Sequence, residues 1–345
     1  MGKSLKSRLV RNPYEVLEIS PTARLEVISA AHKALKSVFA PNKGGSPDIL
    51  SRVEEAYKLL TDTEAKAKFD AERLNLVDKQ IGDHKILSVI AEGGFGTTYK
   101  AEDQICGGVD CIKDCSNVSS EYWFILEREF NTIRDMSHPG LPIMRRMYKM
   151  DDGRLAIVMS YIPGKTLEQI VEKTGKLDPE HVAWIAERIL NTLKYLHFHG
   201  VVHGDLKPQN IIIKPKEHAV VLIDFGLALV KPKADDESLG FTEEFAPPEE
   251  MAGGTLVPES DLYSLGMTMV YALGGGMDAV KKIEVPDSVP NALCDFVLRL
   301  LVRDVAERPH WGKEDLCETI SEVRKKAFGR VRSDMKALPA FIDEE

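Results

Sequence analysis

Hydrophobic positions change their period twice along the 345-residue chain. In the N-terminal part they recur at helical spacing. Val27, Ala30, Ala31, Ala34, Leu35 and Val38 predict one amphipathic helix, and Ile49, Val53, Ala56, Tyr57 and Leu60 predict a second from about Asp48. A short apolar turn through Val16, Leu17 and Ile19 precedes them, and the Pro41–Pro47 stretch breaks the pattern between them. Two such helices joined by a tight loop make a helical hairpin. From Lys85 the spacing shortens. Ile86 to Ile90 and Val109 to Lys113 flank a glycine turn within Glu92–Lys100, as short antiparallel strands do. From Thr166 onward helical patterns dominate, interrupted by a strand run at Ala219–Ile223. The expected class is α+β: an antiparallel β lobe and an α-helical lobe, preceded by an all-α hairpin.

Composition narrows this picture without changing it. With 43% hydrophobic and 29% charged residues the chain reads as an ordinary globular protein. Its most apolar stretch, Leu262 to Met277, is too short and glycine-rich to span a bilayer, and the first residues lack an apolar signal region. The net charge of −9 is uneven, since residues 1–78 carry 13 Lys and Arg against 11 Asp and Glu. An acidic remainder gives no support to nucleic-acid binding. Cys106, Cys111, Cys115, Cys294 and Cys317 are odd in number and lack zinc-site spacing, which points to reduced thiols. The expectation is a soluble cytoplasmic protein without nucleic-acid or membrane partners.

The chemistry concentrates in Val201-Val202-His203-Gly204-Asp205-Leu206-Lys207-Pro208-Gln209-Asn210, followed by Leu222-Ile223-Asp224-Phe225-Gly226. Two carboxylates nineteen residues apart, with a lysine and an asparagine, match the needs of phosphoryl transfer from ATP. One carboxylate accepts the proton of an attacking hydroxyl and the other holds magnesium on the phosphates. From about Lys85 to Gly329 the chain resembles the eukaryotic-type protein kinases, which implies their bilobal fold, ATP and Mg2+ as cofactors, and a protein hydroxyl as substrate.

That resemblance assigns roles to individual positions. Asp205 would be the catalytic base, and Lys207 would approach the γ-phosphate, the lysine pattern being that of Ser/Thr-directed kinases. Asn210 and Asp224 would hold magnesium. Lys113 would contact the α- and β-phosphates. Its carboxylate partner would be Glu129, sixteen residues on, with Glu127 as the alternative. Glu92, Gly93, Gly94, Phe95 and Gly96 would close over the phosphates, together with Ala91 and Thr98 where the family has glycine and valine. Cys111 belongs to the same nucleotide-binding set. Ile157 to Ile162 resembles the strand and hinge that cradle adenine, with Met159 as gatekeeper and Tyr161 in the hinge; a plain buried strand and loop is the other reading. His203 would pack against the Asp224-Phe225-Gly226 turn, Asp261 would cap the catalytic-loop backbone, and Glu249 would pair with Arg308.

Gly204 stands where the family usually carries an arginine that binds a phosphorylated activation loop. Within 227–245 only Ser238 and Thr242 carry hydroxyls, and Asp235, Asp236 and Glu237 crowd Ser238. Thr242 aligns instead with the threonine that contacts the base and lysine. The resemblance therefore implies a non-RD kinase not switched by loop phosphorylation.

Residues 12–75 resemble a J-domain through Pro13-Tyr14-Glu15-Val16-Leu17, Glu55-Ala56-Tyr57-Lys58-Leu59-Leu60-Thr61-Asp62 and Lys66-Ala67-Lys68-Phe69-Asp70. Where J-domains carry His-Pro-Asp, this sequence reads Ala40-Pro41-Asn42. The aspartate through which they stimulate chaperone ATPases is gone, so a docking or regulatory module with a protein partner is expected. The organisation is then a basic leader 1–11, the J-like domain 12–75, a linker 76–84, the kinase domain 85–329 and a tail 330–345. The competing readings are a pseudokinase scaffold, favoured by Ala91 and Gly204, and a chaperone adaptor acting through the helix face around Lys33 and Lys36.

Overall fold

The computed structural model describes residues 13–19, 23–39, 47–74, 78–93, 96–114, 123–150, 155–214, 217–233 and 240–329. Two compact units divide the chain: one formed by 1–126 with 145–161, the other by 127–144 with 162–345.

The first unit begins with four helices: α1 (Pro13–Val16), α2 (Leu25–Val38), α3 (Pro47–Thr61) and α4 (Thr63–Leu74). Their shared core is Tyr14, Leu17, Ile28, Val53, Ala56 and Leu60, with Ala31, Leu35, Ile49, Tyr57 and Phe69 partly buried against it. The α3 face is the one its spacing predicts. On α2 the expected face is corrected. Of the expected set Ala31 and Leu35 do face the core. Val27 and Val38 are 50% and 62% exposed, and Ala30 and Ala34 are exposed too, because the helix is rotated to turn the bulkier Ile28 inward. A buried isoleucine contributes about 1.5–3 kcal/mol, which Ala30 and Ala34 do not match. Glu54 of α3 joins the two helices by accepting from His32 Nε2 at 3.0 Å and pairing with Lys36 at 2.5 Å. The His32 ring stacks on Tyr57 at 3.8 Å.

The pattern of α4 is too polar to predict a helix, and Asp62 supplies its start by accepting from the Glu64 and Ala65 N–H groups. Residues 40–46, including Ala40-Pro41-Asn42, lie outside the described residues.

A six-stranded sheet follows in the same unit: β1 (Gln80–Ile81), β2 (His84–Gly93), β3 (Gly96–Asp103), β4 (Val109–Asp114), β5 (Met144–Lys149) and β6 (Leu155–Ser160), in the order β1-β2-β3-β4-β6-β5. The β1–β4 ladders and the β4–β6 ladder are antiparallel. The segment 76–84, read from the sequence as a linker, thus contributes an edge strand and the first residue of β2. One face buries Ile86, Tyr99, Ala101, Ile112, Ala156 and Val158. At its border, Asp110 accepts from His84 Nε2 at 3.1 Å and from Arg145 Nε at 2.6 Å, which offsets the cost of burying the carboxylate.

The second unit is mainly helical: α5 (Phe124–Ile133, which starts at the boundary), α6 (Leu167–Thr174), α7 (Pro179–Phe198), α8 (Pro248–Met251), α9 (Pro258–Gly274), α10 (Met277–Lys282), α11 (Asn291–Leu300) and α12 (Leu316–Phe328). Short strands β7 (Lys165–Thr166), β9 (Ile211–Lys214) and β10 (Ala219–Leu222) form one small sheet, and β8 (Val201–Val202) pairs with β11 (Leu229–Val230). Thr166 and Gln169 start α6 with a reciprocal capping box, and Asp178 followed by Pro179 starts α7. Helix α9 is buried on every side from Ser260 to Leu273, as a central core helix is. None of the described helices is long and apolar enough to cross a membrane.

Arg308 and Glu249 close the base of this unit. Both guanidinium nitrogens reach the carboxylate, at 2.7 and 2.6 Å, and the Arg308 Nε–H donates to the Val302 carbonyl at 2.6 Å. The Arg308 side chain has no solvent exposure. Burial alone would raise the Glu249 carboxyl, but the hydrogen bonds from Arg308 and the Ser260 hydroxyl hold it below its ordinary value of 4.5. Glu249→Ala leaves a buried guanidinium without its counter-ion and is expected to cost about 3–5 kcal/mol in urea unfolding. Because the folded-state value is depressed, the contribution is full above pH 4.5 and lost as pH falls through the lower folded value. The gap between wild type and variant therefore closes on acidification.

Candidate active site

In the first unit, strand register arranges the predicted nucleotide-side residues. Ala91 pairs with Thr98 and Gly93 with Gly96 across the turn, and Thr98 pairs in turn with Lys113. On the other side of β4, Cys111 lies opposite Met159. Ala91, Thr98 and Lys113 thus form one row across three strands, with Glu92 beside it opposite Thr97. Gly94 and Phe95 lie outside the described residues. Tyr161 follows β6, and the Lys100 ammonium sits 4.9 Å from its ring centroid.

In the second unit, Glu129 of α5 is 2% exposed whereas Glu127 faces solvent. A carboxylate is held away from water only where a cation or donors compensate it, so burial distinguishes the two candidates in favour of Glu129. Gly164, after the predicted hinge, is held against β9. A Cβ there would lie 2.3 Å from the Ile213 carbonyl oxygen, which only glycine tolerates.

The loop between β8 and β9 builds the centre. Asp205 is 6% exposed. Its Oδ2 accepts from Lys207 Nζ at 2.8 Å and from Asn210 Nδ2 at 3.2 Å, and its Oδ1 accepts from the Thr242 hydroxyl at 2.8 Å. Lys207 also donates to Thr242 Oγ1 at 2.8 Å, closing a triangle of base, lysine and hydroxyl. The Asn210 amide nitrogen donates to the Asp205 carbonyl at 2.8 Å, and the Ile223 N–H donates to the Asn210 carbonyl at 2.9 Å. That last bond carries Asp224, in the left-handed region at φ 67°, to the neighbourhood of Asn210. With its NH2 group committed to Asp205, Asn210 offers an amide oxygen, and Asp224 offers a carboxylate. Both are hard oxygen donors of the kind Mg2+ prefers, so the residues present fit that ion.

A second layer holds the loop in place. Asp261 of α9, 1% exposed, accepts from the backbone N–H groups of His203 at 2.8 Å and Gly204 at 2.9 Å. Its Oδ2 also accepts from His197 Nε2 at 2.8 Å. Burial alone would raise this carboxyl, but the His197 and Gly204 donors hold it below its ordinary range. The His203 ring packs 4.7 Å from the Phe225 ring and reaches the Ile223 carbonyl at 3.2 Å. Gly204 has φ 73°, and a Cβ on it would lie 2.9 Å from the Leu227 carbonyl oxygen and 3.0 Å from Leu256 Cδ1. Leu256 packs with Val202 and Leu229 in an apolar cluster beside the loop.

Sequence reasoning missed two features of this layer. His197 and Trp311 meet the catalytic loop only through the fold, and no short-range pattern announces them. Glu168 at the start of α6 accepts from the Gln209 amide, one residue before Asn210. Burial, and then Glu172, push the Glu168 carboxyl above its ordinary value.

Comparison with known proteins agrees with this geometry. Residues 84–319 match the family described as the protein kinase domain. Serine/threonine-protein kinase PrkC of Bacillus subtilis is 29% identical over 295 residues, covering 78% of this chain and 44% of that protein. Serine/threonine-protein kinase B of Synechocystis is 33% identical over 216 residues, covering 56% of this chain and 37% of its own. Serine/threonine-protein kinase PknA of Mycobacterium tuberculosis is 31% identical over 204 residues, covering 56% of this chain and 47% of that protein. The chain spans less than half the length of each of these relatives. With a family match over more than half of its residues, the chain belongs to the protein kinase domain family.

Proposed function

We propose that this chain is a protein serine/threonine kinase that transfers the ATP γ-phosphate to a hydroxyl of a protein substrate. The observation that carries the reading is the Asp205–Lys207–Thr242 triangle around a buried carboxylate, with Asn210 at its edge. Asp205 receives the proton of the attacking hydroxyl. Lys207, held 2.8 Å from the base, offsets charge on the transferred group. Lys113, Glu129, Ala91 to Gly96, Thr98, Cys111, Met159 and Tyr161 serve the nucleotide. Asn210 and Asp224 hold Mg2+, which screens phosphate charge when bound. The kinase domain takes up residues 85–329, and the protein works in the cytoplasm.

Residues 12–75 act in this reading as a J-like module that docks a protein partner. Support comes from two long helices, α2 and α3, flanking the segment that holds Ala40-Pro41-Asn42. Lys36, on the face where a chaperone adaptor would present its charge, is already bound to Glu54. The full chain is therefore expected to leave the ATPase rate of a heat-shock chaperone within about twofold of its basal value. A large stimulation measured in a steady-state ATPase assay would restore the adaptor reading.

The kinase reading is tested by following labelled γ-phosphate from Mg-ATP to the chain itself and to a generic protein substrate. Asp205→Asn is expected to lower transfer by about 10²–10⁴-fold. Equal background from both proteins would make the chain a pseudokinase scaffold.

The non-RD character follows from Gly204. With φ 73° and the Leu227 carbonyl 2.9 Å from any Cβ, Gly204→Arg is expected to distort the loop without creating a phosphate-responsive switch. The strain alone amounts to about 1–2 kcal/mol for a residue with a side chain. Gly204→Ala isolates that strain in urea unfolding. For Gly204→Arg, kcat before and after phosphatase treatment is expected to be equally low.

A further inference from the structure

Trp311 lies 114 residues from His197 in sequence, yet its indole Nε1 stands 2.8 Å from His197 Nδ1. An indole N–H only donates, so Nδ1 must be the acceptor and carry no proton. The remaining ring proton is then on Nε2, where it donates to Asp261 Oδ2 at 2.8 Å. The His197 side chain is 2% exposed, so water offers it little alternative.

We propose that Trp311 is a positioning residue of this kinase: it locks His197 in the neutral Nε2–H form, and through Asp261 that lock sets the catalytic-loop backbone. The route is short. Asp261 Oδ2 is shared between His197 and the His203 N–H, and Oδ1 accepts from the Gly204 N–H, next to Asp205. A neutral donor leaves Asp261 with its full negative charge for the two backbone N–H groups. A protonated His197 would spend part of that charge on an imidazolium and would turn an Nδ1–H against the indole N–H. The titratable groups facing His197 are Asp261 from α9 and, across that carboxylate, His203, whose ring lies near Phe225. His203 obeys the same logic. Its Nδ1 lies 3.3 Å from the Asp205 N–H, so its Nε2 donates to the Ile223 carbonyl at 3.2 Å. Both histidines beside the loop are thereby fixed in one tautomer, one by backbone and the other by a tryptophan contributed from beyond Arg308.

The inference rests on the kinase reading for its effect on turnover, but the lock can be read without any activity. The full chain is labelled with 15N-histidine and 15N-glycine, His197 is assigned by its loss in His197→Gln, and long-range proton–nitrogen and amide spectra are recorded near neutral pH. Wild-type His197 is expected to show a bare Nδ1 and a protonated Nε2. In Trp311→Phe, which keeps the ring packing and removes the donor, that single pattern is expected to be lost, with the proton shared between Nδ1 and Nε2. The His203 and Gly204 amide signals are expected to shift with it. For phosphoryl transfer, kcat is expected to fall about 3–10-fold, while KM for ATP stays within about twofold. A wild-type His197 that carries its proton on Nδ1 overturns the proposal even if the variant does not fold. Unchanged His197, His203 and Gly204 signals in a folded Trp311→Phe overturn it too. Loss of transfer in all forms with the lock intact would count against the kinase reading alone.

Discussion

A carboxylate 1% exposed in the first turn of a helix buried on all sides is the constraint from which the second unit takes its order. An ion so placed costs several kcal/mol unless it is fully hydrogen-bonded. Asp261 finds its donors in two successive backbone N–H groups and one imidazole. Because those N–H groups belong to His203 and Gly204, satisfying the buried charge and shaping the loop before Asp205 are one event. The left-handed turn at Gly204 is the conformation in which its N–H points at Asp261. Asp205, Lys207 and Asn210 all follow within six residues of that turn.

Around this anchor the protein uses two different ways of holding its parts. Arg308 and Glu249 form a two-pronged ion pair, directional and fully enclosed. Beside Gly204 the chain relies instead on Val202, Leu229 and Leu256, whose packing has no charge to gain or lose. An ion pair answers to modification and pH, while a hydrocarbon contact answers to neither.

The parts legible in the sequence were those whose meaning is local. The Asp205–Asn210 spacing, the glycine turn of β2 and β3, Asp261 and Arg308 all sit in short strings whose chemistry fixes their neighbours. The α2 face was read only in part. Ala31 and Leu35 pack on the core as expected, but the neighbouring Val27 and Ile28 are both apolar, and only packing with Tyr14 and Val53 selects Ile28. Helix α4 and strand β1 escaped because one is held by an aspartate cap and the other by a two-residue ladder, neither of which needs an apolar pattern. Trp311 escaped for a stronger reason. Trp311 lies in a turn and its partner on a helix 114 residues away, and the direction of a hydrogen bond between two side chains leaves no trace in residue spacing.

Thr242 gives the site a further property. Its hydroxyl donates to Asp205 at the carboxylate oxygen that Lys207 leaves unused. A buried base waiting for substrate would ordinarily be a weak point, an under-solvated anion that folding must carry alone. Here an alcohol built into the chain gives Asp205 in the resting state the kind of partner that an incoming serine or threonine would bring. The buried carboxylate is thus hydrogen-bonded and held in one orientation by the chain's own side chains.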